Sequence, residues 1–429
     1  MAPRWLQRLG HLSRAHPLLL AWLVCLAPRL LFAATFPLAA DYTYFLSGRT
    51  SSYWYPAYEA FATLMWKAVR GHLAAYVALH AAIHACIGPL VHQLSRLLGF
   101  PASTAWLGVL GVATLPYYVS LGGRQPQPGI VIPLLAAVMV SLLLWMRSRF
   151  RFRLGVSFCV LSAALISIRP NAALTVAAFL TFALLSRAPG SPETRGPGEP
   201  GEAGTPGARR AVALSGALIV VLLAVLAVLV PHAGARFSLL PGYPGLNLYM
   251  GNNPHVSEFL DRHDIDSLQA TLFERGFPDG VRPDLPGSDE RFRRAALEYM
   301  AAHPWQTLRN TFFKAVRYWD YRLDDADLTP WYWNLAYTIP ALVYGGMAVM
   351  GAAILWRRRE IPALGLLGAA ISTYWLPHAI TFGAPRMRMT TEFLLVILSA
   401  VAVRHLANRV VERRRFTPAP AQTGARTGS

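Results

Sequence analysis

The sequence predicts an all-α polytopic membrane protein with about ten transmembrane helices and a small extracytoplasmic helical cap. Of its 429 residues, 54% are hydrophobic and only 14% are charged, whereas a soluble chain of this length needs far more polar surface. Several apolar runs approach the roughly 20 residues that an α-helix needs to cross a bilayer. Since lipid cannot satisfy an exposed backbone, such runs predict a bundle of helices.

The net charge of +18 suggests nucleic-acid binding, but the placement of the charges argues against it. Arginines cluster in short loops between apolar runs, for example RSRFRFR at 147–153 and WRRRE at 356–360. That distribution is typical of the cytoplasmic loops of a membrane protein. We therefore expect a lipid bilayer and no nucleic acid among the partners, with the N-terminus in the cytoplasm.

Ten spans place these basic loops on one side without a parity conflict. The fifth and sixth spans are short and separated only by RPN, and a hairpin that does not cross fully is the alternative for them. The predicted spans are 17–35, 74–94, 103–121, 129–146, 154–168, 171–187, 211–231, 331–355, 361–381 and 390–406.

Changes in composition mark the segments outside the membrane. Gly, Pro and Glu dominate 188–210, which predicts a disordered linker. The Tyr, Trp and Lys content of the first external loop, 36–72, favours an interfacial helix. The predicted domains are a membrane half at 1–187, the cytoplasmic linker at 188–210, a transmembrane helix at 211–231, the extracytoplasmic cap at 232–330, C-terminal spans at 331–406 and a cytoplasmic tail at 407–429, disordered at its end.

Two helices are predicted near the end of the cap. In the first, Ser288 is the predicted N-cap and is followed by acids in the first turn. Pro304 lies at the first position of the second helix. One face of that second helix carries Leu308, Phe312, Ala315 and Trp319.

One acid follows the first span directly. Asp41 in FPLAADYTYFLSG lies at the predicted outer mouth, where apolar cover would raise its pKa and suit it as a general base. The alternative is an interfacial acid that only ends the helix. Tyr42 and Tyr44 are candidate pocket walls, or ordinary interfacial aromatics.

Three arginines are candidate ligands for an anion. Arg386 and Arg388 in GAPRMRM lie on the predicted outer side, and guanidinium groups bind phosphate bidentately. Snorkelling is the alternative for this pair. Arg169 in ISIRPNAAL lies between apolar runs, where a charge is expensive unless it is paired or functional.

Further polar residues are candidates for the walls of a pocket. Asn252 and Asn253 lie in a Gly-, Asn- and Pro-rich loop, which is either an ordinary turn or part of a pocket. His378 lies near the arginine loop. His80 and His84 have metal-ligand spacing, but no acid or Cys accompanies them, so packed histidines are favoured. The sequence assigns no residue as a metal ligand and indicates no cofactor. A divalent metal stays an open alternative that no motif supports.

The order of these features resembles the GT-C superfamily of integral-membrane glycosyltransferases, closest to the bacterial glycosyltransferase family 39, which is protein mannosyltransferase-like. The matching pieces are AADYTYFL, RPN between spans, NLYMGNNP, RRAALEYMAAHPWQTLRNTFFKAVRYW and APRMRMTTEFLLVILSA. They occur in order over most of the chain.

The resemblance implies an inverting enzyme that moves a sugar from a polyprenyl-phosphate carrier to a cell-envelope acceptor outside the cytoplasm, in a bacterial inner membrane. It implies that Asp41 is the catalytic base and that Arg386, Arg388 and Arg169 bind the donor phosphate. Many relatives carry a second acid beside the first, whereas Tyr42 follows Asp41 here; Glu59 is the candidate for that second carboxylate. A transporter or flippase for a lipid-linked or anionic substrate is the alternative from another class, and a noncatalytic scaffold of the same fold is a third.

Overall fold

The structure, a computed structural model, describes residues 13–35, 56–124, 126–186, 206–232, 244–257, 272, 287–320, 331–381, 383 and 385–416. Every regular element in these ranges is helical. Predictions for residues 36–55, which include Asp41, Tyr42 and Tyr44, lie outside the described residues. So do the linker over 187–205, parts of the cap and the end of the tail.

The helices follow the predicted apolar runs. They are α1 (Pro17–Thr35), α2 (Pro56–Ala68), α3 (Leu73–Ala85), α4 (Ile87–Leu97), α5 (Ala102–Thr114), α6 (Pro116–Arg124), α7 (Pro126–Arg147), α8 (Phe152–Ile168), α9 (Ala172–Leu185), α10 (Pro206–His232), α11 (Pro244–Gly251), α12 (Ser288–Ala302), α13 (Pro304–Arg317), α14 (Trp331–Arg357), α15 (Ile361–Ile380) and α16 (Met389–Phe416), with a 3-10 turn at Pro385–Arg388 before α16.

The chain is an all-α polytopic membrane protein. Seven helical stretches in the described residues are long and apolar enough to cross a bilayer, counting α3 and α4 as one stretch over Leu73–Leu97. Helices α5, α8 and α9 are apolar but shorter. The predicted third span, 103–121, is divided between two helices because Pro116 has no N–H to continue the first one.

Two local predictions need correction. Helix α10 begins at Pro206, so residues 206–210 are helical rather than part of a disordered linker; proline suits the first helical position. Helix α12 includes Ser288, and Gly287 is its N-cap with a φ of 77°, which glycine adopts without strain. The Ser288 side chain is therefore not the cap that the sequence predicts.

The core of the bundle surrounds α7, most of whose residues are buried. Helices α14 and α16 make the most extensive pairing. Gly351 permits their close approach, because a Cβ there would overlap the carbonyl oxygen of Leu398. Between α9 and α15, the Thr175 and Thr373 hydroxyls form a buried hydrogen bond of 2.9 Å.

Tyr118 fixes the start of α16. Its hydroxyl donates to the carbonyl oxygen of Met389 at 2.6 Å and accepts from the Phe393 N–H at 2.9 Å. These are the two backbone groups that an α-helix joins directly across one turn. The first turn of α16, which follows the predicted arginine loop, is thereby held against α6.

Candidate functional site

The ends of three helices meet where α8 stops, α15 stops and α16 starts. Pro170 follows Arg169 and ends α8, because a residue before proline is disfavoured in the helical conformation. The 3-10 turn then brings Met387 and Arg388 beside this corner. We call the group formed by Arg169, Tyr318, His378, Arg388 and Glu392 the arginine cluster.

Arg169 has spare hydrogen-bonding capacity. Its Nη2 donates to the sulfur of Met387 at 3.3 Å, and sulfur is a weak acceptor. Its Nε is buried without a hydrogen-bond partner. In the part of the chain that the structure describes, no carboxylate pairs with this guanidinium. Arg169 therefore carries a charge that its described surroundings do not neutralise.

Arg388 is a paired arginine. Its Nε donates to Oε1 of Glu392 at 2.9 Å, and its Nη1 donates to the carbonyl oxygen of Asp320 at 2.8 Å. The side chains of Arg388 and Glu392 are only 11% and 12% exposed, so this is a largely desolvated ion pair. The second carboxylate oxygen of Glu392 is buried and has no partner.

Tyr318 and His378 fill the space between these charges. Their rings stack with centroids 6.0 Å apart and an interplanar angle of 21°. Burial raises the pKa of Tyr318 to about 12, although Arg388 and Arg169 lie close enough to oppose that rise. Both ring nitrogens of His378 are buried without partners. The cluster thus contains buried polar atoms, on Arg169, His378 and Glu392, that have no hydrogen-bond partner and could bind a ligand.

The charges of the cluster favour an anion. Arg169 and Arg388 contribute two positive charges, and Glu392 contributes one negative charge. The excess positive charge is the one on Arg169. Guanidinium groups present planar sets of donors that match phosphate and carboxylate oxygens, so the arrangement can hold a tetrahedral or planar anion and stabilise a charge that develops on it.

A second set of contacts fixes the end of α15 beside the cluster. The buried Lys314 ammonium donates to the carbonyl oxygens of Gly251, Ile380 and Thr381 at 2.8, 2.8 and 2.9 Å. The last carbonyls of a helix lack partners within the helix and attract a cation. Burial lowers the pKa of Lys314 to about 7. Gly251 permits this approach, since a Cβ there would overlap the Thr381 oxygen.

The two predicted asparagines belong to the same contact set. Asn252 donates from Nδ2 to the carbonyl oxygens of Leu248 at 2.9 Å and Ile380 at 3.0 Å. Asn253 donates to the Tyr249 oxygen at 2.8 Å and accepts from the His255 N–H at 2.8 Å. Both side chains are buried. Their amides brace the turn after α11 and connect it to α15.

The remaining predicted residues are placed as follows. Arg386 lies in the 3-10 turn, next to Met387 and Arg388, and only its backbone is described. Glu59 lies in the first turn of α2, and partial burial raises the pKa of its carboxyl. No hydrogen bond or ion pair among the described residues joins Glu59 to the arginine cluster. Asp41, Tyr42 and Tyr44 fall outside those residues.

Glu392 and Tyr318 are cluster members that sequence reasoning missed. Glu392 had a detectable signal, because an acid inside the last apolar run, four residues after Arg388, predicts both a buried charge and its partner. Tyr318 had none, since a tyrosine near a membrane boundary is ordinary.

A further arginine, Arg29, is fully buried within the first span. Its Nε donates to Nδ1 of His84 at 3.2 Å, and its two Nη atoms donate to the carbonyl oxygens of Cys25 and Val112 at 2.6 and 3.1 Å. The His84 ring also meets Tyr118 edge-on at 5.6 Å. His84 is therefore a packed, hydrogen-bonded histidine.

No group of three or more His, Cys, Asp or Glu in the described ranges could hold a metal ion. An open crevice of about 630 Å³ lies between α14 and α16, lined by apolar residues with Arg357, His405 and Arg409. It is near the opposite end of α16, about 24 Å along the helix axis from Met389.

Neither a protein-family model nor a curated protein matches the sequence.

Proposed function

We propose that the protein is an inverting glycosyltransferase that moves a sugar from a polyprenyl-phosphate carrier to a lipid, glycan or protein acceptor outside the cytoplasm. The observation that carries this proposal is Arg169, a guanidinium at the end of a membrane helix with a buried, unpartnered Nε and Arg388 nearby. A lipid-borne phosphate meets such a boundary naturally, because its chain stays in the bilayer and its charge lies at the surface.

The proposed reaction is a single displacement at the anomeric carbon. The acceptor hydroxyl forms a new C–O bond as the bond from that carbon to the phosphate oxygen breaks. The hydroxyl proton passes to the carboxylate of Asp41, and the bonding electron pair leaves with the phosphate. Arg169 and Arg388 offset the charge that grows on the leaving oxygen, while Glu392 and the Asp320 carbonyl hold Arg388 in place.

The experiment is a transfer assay with purified protein in proteoliposomes. A panel of polyprenyl-phosphate sugars is offered with cell-envelope acceptors, and the product is identified by mass and by its anomeric configuration. We expect inversion, and we expect Asp41→Asn to lower turnover about 10²- to 10⁴-fold, as loss of a general base does. Glu298→Gln, an exposed acid on α12, is the matched control. Full turnover by Asp41→Asn would remove the base assignment.

The same preparation separates the enzyme from the transporter that the sequence also allows. A transporter would move the labelled lipid or anion across the vesicle membrane and release no transfer product. Uptake without product, over the whole donor panel, would replace the glycosyltransferase proposal. The bacterial inner-membrane location and the extracytoplasmic side of the site belong to this proposal as well, and protease protection of the cap in oriented vesicles tests the side.

A further inference from the structure

Helix α13 has its polar face inside the protein and its apolar face outside. Its buried residues are Asn310, Lys314 and Arg317, which recur at the spacing of one helical face. The opposite face is a stripe of exposed apolar side chains. The stripe consists of Trp305, Leu308, Phe312 and Val316 on α13 and of Trp319 in the turn that follows it, with exposed fractions of 76%, 59%, 65%, 54% and 39%. A helix in water shows the reverse arrangement.

The buried polar face explains how α13 is attached. Lys314 reaches the last carbonyls of α15 and the Gly251 carbonyl. These contacts turn the polar side of the helix toward the protein. In the described part of the chain, no other segment covers the apolar side, whose residues are exposed. The sequence alone places Leu308, Phe312, Ala315 and Trp319 on one face of this helix. In the structure Leu308, Phe312 and Trp319 are exposed, whereas Ala315 is half-buried and Trp319 follows the last residue of α13. The sequence does not predict the direction in which this face points.

A tryptophan on α15 gives the depth of α13 relative to the bilayer. Trp375 donates from Nε1 to the carbonyl oxygen of Ala315 at 3.0 Å, and its ring lies 6.3 Å from that of Trp319. Trp375 precedes the last residue of α15, Ile380, by five positions, which is about 7.5 Å along the helix axis. Helix α13 therefore lies level with the last turns of a membrane span.

The apolar stripe continues the lipid-facing surface of that span. Leu376 and Ile380, in the last turn of α15, are 48% and 49% exposed. On α13, the exposed Arg309 lies over the Phe313 ring at 5.4 Å, and its long side chain can reach lipid phosphates while its methylenes stay among apolar groups. Both features fit the boundary between head groups and acyl chains.

We propose that α13 is an interfacial helix that lies in the membrane surface, with Trp305, Leu308, Phe312, Val316 and Trp319 among the acyl chains of the lipid. Amphipathic helices of this kind enter the head-group and acyl boundary by about 5–10 Å, which agrees with the level of Trp375. The cap is then joined to the bilayer along this helix. This proposal does not depend on the glycosyltransferase activity.

Site-directed spin labelling in lipid vesicles tests the proposal. Cys25, Cys86 and Cys159 are replaced by alanine, and single variants Leu308→Cys and Phe312→Cys are labelled. Glu298→Cys on the neighbouring α12, also exposed, is the matched control. At 308 and 312 we expect collisions with oxygen to exceed those with a water-soluble nickel complex, because labels about 5–10 Å below the surface are among acyl chains that exclude the complex. At 298 we expect the opposite order.

Two outcomes would overturn the proposal. Nickel collisions above oxygen collisions at 308 and 312 would mean that the stripe faces water. Low values with both reagents would mean that protein covers it, either a second copy or another segment of this chain. If the cysteine-free protein does not fold, a photoreactive benzoylphenylalanine replaces Phe312 in the otherwise natural chain. Irradiation should then add the mass of one phospholipid, and a protein–protein crosslink or no adduct would contradict the proposal.

Discussion

Two arginines in this protein, Arg29, which is fully buried, and Arg169, which is half-buried, differ in how their donors are used. Arg29, inside the first span, uses Nε, Nη1 and Nη2 on His84, Cys25 and Val112. Arg169, at the end of α8, has a sulfur contact from Nη2 and a buried Nε without a partner. Both sites are costly places for a charge. Arg29 thus has every donor group occupied by the protein, whereas Arg169 keeps donors that a ligand can use.

The Val112 carbonyl shows why Arg29 is structural. In a continuous helix this oxygen would accept from the N–H four residues later, but residue 116 is proline and has no N–H. Arg29 supplies the missing donor at 3.1 Å. Arg29 therefore joins α1, α3 and α5 at a break between α5 and α6. Arg169, by contrast, donates to no backbone carbonyl oxygen among the described residues.

The largest expected effect comes from removing Arg169. We expect Arg169→Met to lower kcat/KM for sugar transfer about 10²- to 10³-fold, because a donor aimed at a developing charge is lost. We expect an unfolding temperature equal to or above that of the natural protein, since no strong internal contact disappears. Arg153→Met, at the exposed start of α8, is the control. A large loss of stability would place Arg169 in the same class as Arg29.

The second effect is on stability and comes from Arg29. We expect Arg29→Met to lower the free energy of unfolding by about 3 kcal/mol, because a buried carbonyl and a histidine nitrogen lose their donor. Thermal unfolding in detergent or nanodiscs measures the change. The specific activity of the protein that remains folded should stay within about twofold. If stability is unaffected while turnover collapses, Arg29 takes part in the reaction and the comparison fails.

The smallest effect concerns the buried Lys314, whose ammonium donates to three carbonyl oxygens. Burial lowers its pKa from 10.5 to about 7, so between these values the unfolded chain holds a proton that the folded protein lacks. The free energy of unfolding should then rise with pH in that window. From pH 7 to 9 we expect a gain of about 2 kcal/mol for the natural protein over Lys314→Met. If the free energy of unfolding changed with pH in the same way for both proteins, Lys314 would stay charged in the folded protein.

Apolar runs predicted most of the fold, because the bilayer leaves few alternatives to a helix. Each predicted span contains a helix, although α5, α8 and α9 are short and the count of ten stays a prediction. Pro116 marks the break between α5 and α6, whereas the sequence predicts one continuous span over 103–121. Arg29 carries a signal too, since a charge within an apolar run indicates a buried partner or a function, but the sequence analysis assigns it no role.

The candidate site was less predictable, because contacts between distant segments decide it. The sequence named Arg169, Arg388 and His378, which the structure brings together around Tyr318. It gave no means of telling that Glu392 neutralises Arg388 and that Arg169 is left without such a partner. The amides of Asn252 and Asn253 look alike in sequence whether they line a pocket or brace a turn. Asp41 stays a prediction, carried by the resemblance alone.

We propose that the arginine cluster binds a lipid-borne phosphate through Arg169. The most direct test is the affinity of radiolabelled polyprenyl phosphate, without a sugar, for the purified protein in nanodiscs. We expect saturable binding that Arg169→Met weakens about tenfold to a hundredfold, as loss of a charge-assisted hydrogen bond does, while Arg153→Met binds like the natural protein. Equal affinities for the natural protein and Arg169→Met would contradict it.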